Sequence, residues 1–429
     1  MTSDRFLPLG MKNKSLNIHC NAGEFLFIVG FCLYLAARIL FTSTISTTMG
    51  FGSMIKLLMV VGLAAILLSI FLSERVTARS LLLLALVTIL AYLVYKTGGA
   101  DFASLLFIAY AARYYKLRNI IEPAYKVIVY TCVLIVLLAV LGIVDSTTSS
   151  EEFRYRTSLG FIWVTFLSHY YLEIVVCYVF LHFHELTTGR ILILALIDVA
   201  IYSATASRNS FFLTLIFLVF VLVLRKGKNN TSKPVAYFLS LSFVACTAIS
   251  FLIFLLPEPF SAAGYQLNKL MSGRILLTQN AIAQYGITPF GTAVQWVTQS
   301  MVNSGQYAAN QYAYVDCSYI NLMIHYGWVV FSIILVALTV VSYRCTRQMG
   351  ALAGVAFLIF AIHGVVDPQL LDLHYCVLLV LLGSVFDSTD EWGYLLSGLL
   401  SSQPLKSTHA DELNPQVEDA SRMVLTNER

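Results

Sequence analysis

The chain is 429 residues long, 58% hydrophobic and only 12% charged, with a mean hydropathy of +0.78. That composition excludes a water-soluble globular protein and makes lipid the solvent for most of the surface. A net charge of +4 with no basic tract or zinc-type spacing excludes nucleic acid as a partner, and the eight scattered cysteines suggest no disulfide framework.

A window of about 20 residues places twelve candidate spans, near 23–41, 53–72, 79–95, 100–114, 124–144, 159–181, 190–206, 209–225, 235–256, 317–342, 351–366 and 369–386. The first follows Arg5, Lys12 and Lys14 and has no evident cleavage site, so it reads as a retained anchor. With the N-terminus in the cytoplasm, 19 basic residues fall on the inner side and seven on the outer. This positive-inside bias predicts that both termini are cytoplasmic. Arg38, near the outer end of the first span, either snorkels to the headgroups or pairs with Asp198 of the seventh span.

Before the sixth span, Arg154 and Arg156 stand on the outer side beside Glu151 and Glu152. The turn between the seventh and eighth spans, "SATASRNSFFL" (203–213), carries Arg208 at the outer surface. A guanidinium at the bilayer costs about 2.5 kcal/mol or more, which either a substrate contact or snorkelling offsets. Residues 257–316 then form a long outer segment of the kind that is usually functional. If 266–283 is one helix, Leu267, Leu270, Met271 and Ala281 share a face and Arg274 falls inside that stripe. His363 ends the eleventh span four residues before Asp367, whereas His169 and His325 read as hydrogen-bonded core. Domain organisation is therefore a membrane domain, 1–387, and a polar cytoplasmic tail, 388–429.

Four segments carry a family likeness: "RYRTSLGF" (154–161), "SATASRNSFFL", "SGRILLTQNAIAQYGITPFG" (272–291) and "VDCSYINLMIHYGWVV" (315–330). In their order and placement the chain resembles the O-antigen ligase and Wzy-type polysaccharide polymerase superfamily. The resemblance implies an all-α polytopic bundle of about twelve transmembrane helices, GT-C-like, in the bacterial plasma membrane, with a large, partly helical extracytoplasmic loop. It implies transfer of a glycan from undecaprenyl pyrophosphate to the non-reducing end of another lipid-linked repeat, without metal or cofactor. Its implied partners are undecaprenyl-pyrophosphate-linked oligosaccharides, membrane lipids, and the flippase and chain-length regulator of the same pathway. By the same likeness Arg208 and Arg274 match the arginines thought to bind pyrophosphate. Asp316 stands where ligases of the superfamily carry a histidine base.

Elementary chemistry supports those roles. Pyrophosphate leaving an anomeric carbon gains negative charge, and preorganised guanidinium forks stabilise it best in a partly dry site. A carboxylate such as Asp316 serves as base if burial raises its pKa moderately. Arg154, Arg156, Arg38 and His363 are the further substrate-binding candidates, His363 also as a second base. The outer tyrosines Tyr265, Tyr285, Tyr307, Tyr312 and Tyr314 are candidates for stacking on sugar rings. No outer loop holds a carboxylate pair or histidine cluster suited to a metal. Two other readings stay open: a ligase that transfers glycan to a different surface acceptor, and a lipid-linked oligosaccharide flippase. The flippase is less favoured, because the chain shows no internal repeat.

Overall fold

The computed structural model of the protein describes residues 22–72, 77–151, 154–227, 229, 231–255, 261–298, 301–302, 306–308, 311–397 and 399. Among them, nine helical stretches are long and apolar enough to cross a bilayer: Ala22–Phe41, Gly52–Phe71, Ala78–Lys96, Leu117–Val140, Phe166–Glu185, Thr188–Thr205, Arg208–Lys226, Lys233–Phe254 and Ser318–Met349. The protein is a multi-pass helical membrane protein. Two shorter apolar helices, Ala100–Ala112 and Ala351–Val366, pack inside the bundle.

In chain order we label the helices α1 (Ala22–Phe41), α2 (Gly52–Phe71), α3 (Ala78–Lys96), α4 (Ala100–Ala112) and α5 (Leu117–Val140). A hairpin of β1 (Thr148–Glu151) and β2 (Arg154–Thr157) follows, pairing Thr148 with Thr157 and Glu151 with Arg154. Then come α6 (Phe166–His182), α7 (Thr188–Thr205), α8 (Arg208–Lys226), α9 (Lys233–Ser240) and α10 (Ser242–Phe254). Helices α11 (Ala262–Leu270), α12 (Arg274–Tyr285), α13 (Ser318–Met349), α14 (Ala351–Val366) and α15 (Thr389–Leu395) complete the series.

Several helices are apolar all round, and what distinguishes their faces is packing. Leu82, Ile89, Leu192 and Leu196 stay exposed, as side chains facing lipid do, while Phe27, Phe31, Ile108 and Ile128 are buried between helices. Close approach of α1 and α2 depends on Gly30 and Gly62, since a Cβ on either would sit 2.8 Å from the other's carbonyl oxygen.

Both described ends of the chain lie at one end of the bundle. Near the start of α1, Glu24 accepts from Asn119, and Asp387 pairs with Arg113 while its carbonyl accepts from Arg344 at 2.8 Å. The opposite end gathers 42–51, the β hairpin, the α7–α8 turn and the described parts of 261–316. We call it the long-loop end.

The expected twelfth span, 369–386, is not a regular α-helix. Its residues turn beside Ser318 and descend as a 3-10 segment, Val377–Ser384, against α4 and α13 toward Asp387. Helix α6 begins at Phe166, not at 159, because Leu159 and Gly160 adopt positive φ. The tail expected from 388 starts inside the bundle: Ser388 and Glu391 cap α15 reciprocally, and buried Trp392 donates to the Ser384 carbonyl at 2.7 Å. Residues 401–429 lie outside the described residues.

The single helix expected over 266–283 is two. Ser272 and Gly273 take φ of 54° and 83°, which breaks the helix and re-aims the chain, so Leu270 is exposed whereas Ile275 and Ala281 are buried. Arg274 becomes the first residue of α12. After α12 the chain returns across α13 at its kink, where Gly291 and Gly327 both have positive φ and their backbones touch. A Cβ on Gly291 would lie 2.1 Å from the His325 oxygen.

Candidate functional site

At the α7–α8 turn Ala206 adopts a left-handed φ of 48°, so the chain reverses in two residues. A hydrogen bond of 2.9 Å between Thr205 and Ser168 ties the tip to α6. Successive residues of a helix point about 100° apart, and the opening of α8 uses that to divide its side chains. Arg208 is exposed and has no hydrogen bond or ion pair with a described residue. Asn209 and Ser210 turn inward.

Both inward residues meet the end of α14. Asn209 Nδ2 donates to Asp367 Oδ2, and Ser210 Oγ lies 3.5 Å from His363 Nε2. Asp367 is held by its backbone, its N–H donating to His363 O at 3.1 Å and its carbonyl accepting from Ser318 Oγ. His363, four residues earlier, brings Nε2 to 3.6 Å from Asp367 Oδ2. From α6, His169 brings Nε2 to 3.8 Å from Asp367 Oδ1, its ring edge-on to that of His363 with centroids 4.7 Å apart. His169 is only 3% exposed, and neither ring nitrogen reaches good hydrogen-bond geometry, with the Gln369 side chain the polar neighbour beside the ring. It is core, as expected, with Gln369 set beside it. His325 is hydrogen-bonded: its Nε2 donates to the Thr97 carbonyl at 2.5 Å.

Arg274 reaches the same place from the long loop. Its Nε donates to Asp316 Oδ2 at 2.7 Å and its Nη1 to the Val366 carbonyl at 3.0 Å. The α8 tip and α12 are therefore neighbours, one gripping residue 367 and the other residue 366. Two of the three Arg274 guanidinium nitrogens, Nε and Nη1, are thus engaged, and Nη2 makes no hydrogen bond among the described residues. Asp316, at the approach to α13, has its pKa pushed up to about 6 by burial, against the lowering effect of Arg274 and with a further rise from Asp367.

Arg38 pairs with Asp101 at 2.7 Å, and not with Asp198. The reason is depth. Arg38 lies at the end of α1 level with the start of α4, whereas Asp198 lies seven residues, roughly 10 Å, below the α7 tip and is buried there. The Arg38–Asp101 pair lines a small cavity with Tyr34, Asp372 and His374. The Arg154 side chain lies outside the described residues. Arg156 sits on β2, which packs against α7. Of the outer tyrosines, Tyr285 and Tyr314 join a ring series through Trp296, with centroids 5.9 and 5.6 Å apart. Tyr265 and Tyr307 are exposed.

Among the described residues, His169, His363 and Asp367 form a group that could hold a metal, their ligand atoms all lying within 4.8 Å of one another. Reading the outer loops alone missed this cluster, because its members sit at the ends of spans and 194 positions separate His169 from His363. Asn209 and Ser210 were inside a motif already singled out, and their polarity beside an apolar run was the usable signal. No known family model, characterised protein or solved structure is found to match the chain.

Proposed function

We propose that the chain is a membrane glycosyltransferase of the Wzy polymerase type, with twelve membrane crossings, a GT-C-like architecture and both termini in the bacterial cytoplasm. Its reaction joins lipid-linked oligosaccharide repeats on the outer face. The bond from the anomeric carbon to the undecaprenyl pyrophosphate breaks, and a bond to the acceptor hydroxyl oxygen forms. The hydroxyl proton passes to Asp316, and the carrier pyrophosphate leaves. On this reading the guanidiniums of Arg208 and Arg274, and no metal ion, take up the charge of the leaving group.

One observation carries the reading: the two arginines expected from the sequence likeness, 66 positions apart, flank adjacent residues, Arg208 through its neighbour Asn209 on Asp367 and Arg274 on Val366. Arg208 offers an unengaged fork, and Asp316 keeps one oxygen off Arg274. The series Tyr285, Trp296 and Tyr314 suits a glycan that approaches along the long loop.

Incubating the purified protein with a defined undecaprenyl-pyrophosphate oligosaccharide tests this. A ladder of repeats is expected, and Arg208→Ala should abolish it. A single transfer to a foreign acceptor would make the enzyme a ligase. Movement of the intact lipid across proteoliposomes without transfer would overturn the reading in favour of a flippase.

A further inference from the structure

Asp367, His169 and His363 form the group of metal-ligating side chains found among the described residues, and two features set it apart from ordinary core. First, its N···O separations of 3.8 and 3.6 Å are longer than the roughly 2.7–3.2 Å of an N–H···O bond. Second, His169 is buried with neither ring nitrogen in good hydrogen-bond geometry, the Gln369 side chain being the polar group beside it. Any imidazole carries at least one N–H, and leaving a buried polar group unsatisfied costs about 1–3 kcal/mol. A hydrogen-bonded relay would have closed these gaps.

One ligand atom from each of the three residues can be chosen so that all lie within 4.8 Å of one another, around a shared cation. Bonds of about 2.0–2.1 Å at a tetrahedral angle place ligand atoms about 3.3–3.4 Å apart. The two close contacts run to different oxygens, Oδ1 for His169 and Oδ2 for His363, so gathering one atom from each residue on a cation closes edges of at most 4.8 Å by up to about 1.5 Å, through rotation of the imidazoles and the carboxylate. Asn209 already orients the carboxylate, as residues behind metal ligands do. Two imidazoles and one carboxylate favour a first-row transition metal over magnesium or calcium, which prefer oxygen alone.

We propose that His169, His363 and Asp367 bind a divalent transition cation of the zinc class, with a remaining position open beside Ser210. The cation links α6 to the end of α14 and, through Asn209, fixes the tip that carries Arg208. It lies under the arginines, not at the leaving group, and nothing in its binding requires that the chain handle glycan.

The test uses the detergent-purified full chain, stripped with chelator and titrated with cobalt(II), whose visible d–d bands report ligation. One cobalt per chain, displaced by zinc, is expected. Asn209→Ala should weaken binding roughly 10–100-fold, as loss of an outer partner does. Asp367→Asn and His169→Gln should weaken it more. His363→Cys should gain an intense thiolate-to-cobalt band that the wild type lacks. Only direct ligation produces this band, so it decides the matter even if the other variants fail to accumulate. Absence of saturable cobalt binding, wild-type affinity in Asp367→Asn, or cobalt bound to His363→Cys without the thiolate band would each overturn the proposal. None of these readouts involves transfer activity, so failure of the cation site and failure of the polymerase reading are distinguishable.

Discussion

Replacing Arg274 with alanine removes two bonds together, Nε to Asp316 at 2.7 Å and Nη1 to the Val366 carbonyl at 3.0 Å. A hydrogen bond to a charged group contributes about 1.5–3 kcal/mol, but the two paired side chains are 33% and 19% exposed. Solvent screening lowers the ion-pair share toward about 1 kcal/mol. With a similar share for the carbonyl bond, Arg274→Ala should cost about 2 kcal/mol, a fall in melting temperature of about 2 °C for a chain of this size. Asp316→Ala should cost about half as much, because Arg274 keeps its carbonyl partner. The double variant should then match Arg274→Ala alone, a coupling of about 1 kcal/mol. Intrinsic fluorescence of the four tryptophans in detergent would follow melting. Strictly additive costs, or wild-type melting of Arg274→Ala, would refute the pairing and return Arg274 to the role of an unengaged anion site.

Arg208→Lys should melt like the wild type, since Arg208 is exposed and unpartnered, yet lose most transfer because lysine lacks the planar fork. Combined with Arg274→Lys, it should be scarcely worse than the worse single change. Full activity would make Arg208 a plain hairpin anchor. Because burial raises the Asp316 pKa from 3.8 to about 6, the base form is lost as pH falls through that value. Transfer should therefore drop about tenfold per unit below it, and a slope that persists in Asp316→Asn would assign the base elsewhere. The stability sign is opposite. A raised carboxyl pKa favours the folded state most below pH 3.8, and that contribution fades as pH rises through about 6. Gly62→Leu should prevent accumulation of monodisperse protein, since its Cβ would meet Gly30 O and Tyr34 N at 2.8 Å, whereas Gly189→Leu, with no contact nearer than 3.9 Å, should be tolerated. Equal yields of the two would refute the close approach of α1 and α2.

Much of the bundle can be read from hydropathy, and the misreadings have local causes. The windows near 53–72, 190–206 and 209–225 match α2, α7 and α8 closely, because a helix in lipid has to satisfy its own backbone whatever its neighbours do. The window near 159–181 began early, because hydropathy is blind to the positive φ of Leu159 and Gly160. The 266–283 stripe failed for the same reason at Ser272 and Gly273, and with it went the idea of Arg274 on one continuous apolar face. The expected twelfth span is apolar enough, but its first residues turn, with Cys376 in an extended conformation, and only then enter a 3-10 segment that packs on α4.

Arg208 and Arg274 could be marked out along the chain, because a cation beside an apolar run is conspicuous wherever it sits. Their surroundings could not. That Asp101 and not Asp198 meets Arg38, that Asp316 occupies Arg274, and that Asn209, His169 and His363 converge on Asp367 depend on helix depth and facing. Composition and local periodicity put the chain in the membrane and its arginines at the surface, because hydrophobic transfer accumulates residue by residue. Packing between segments far apart in the chain chose the partners, because contact at about 3 Å requires two helices to agree in both height and rotation, and a stretch of one helix specifies neither for the other.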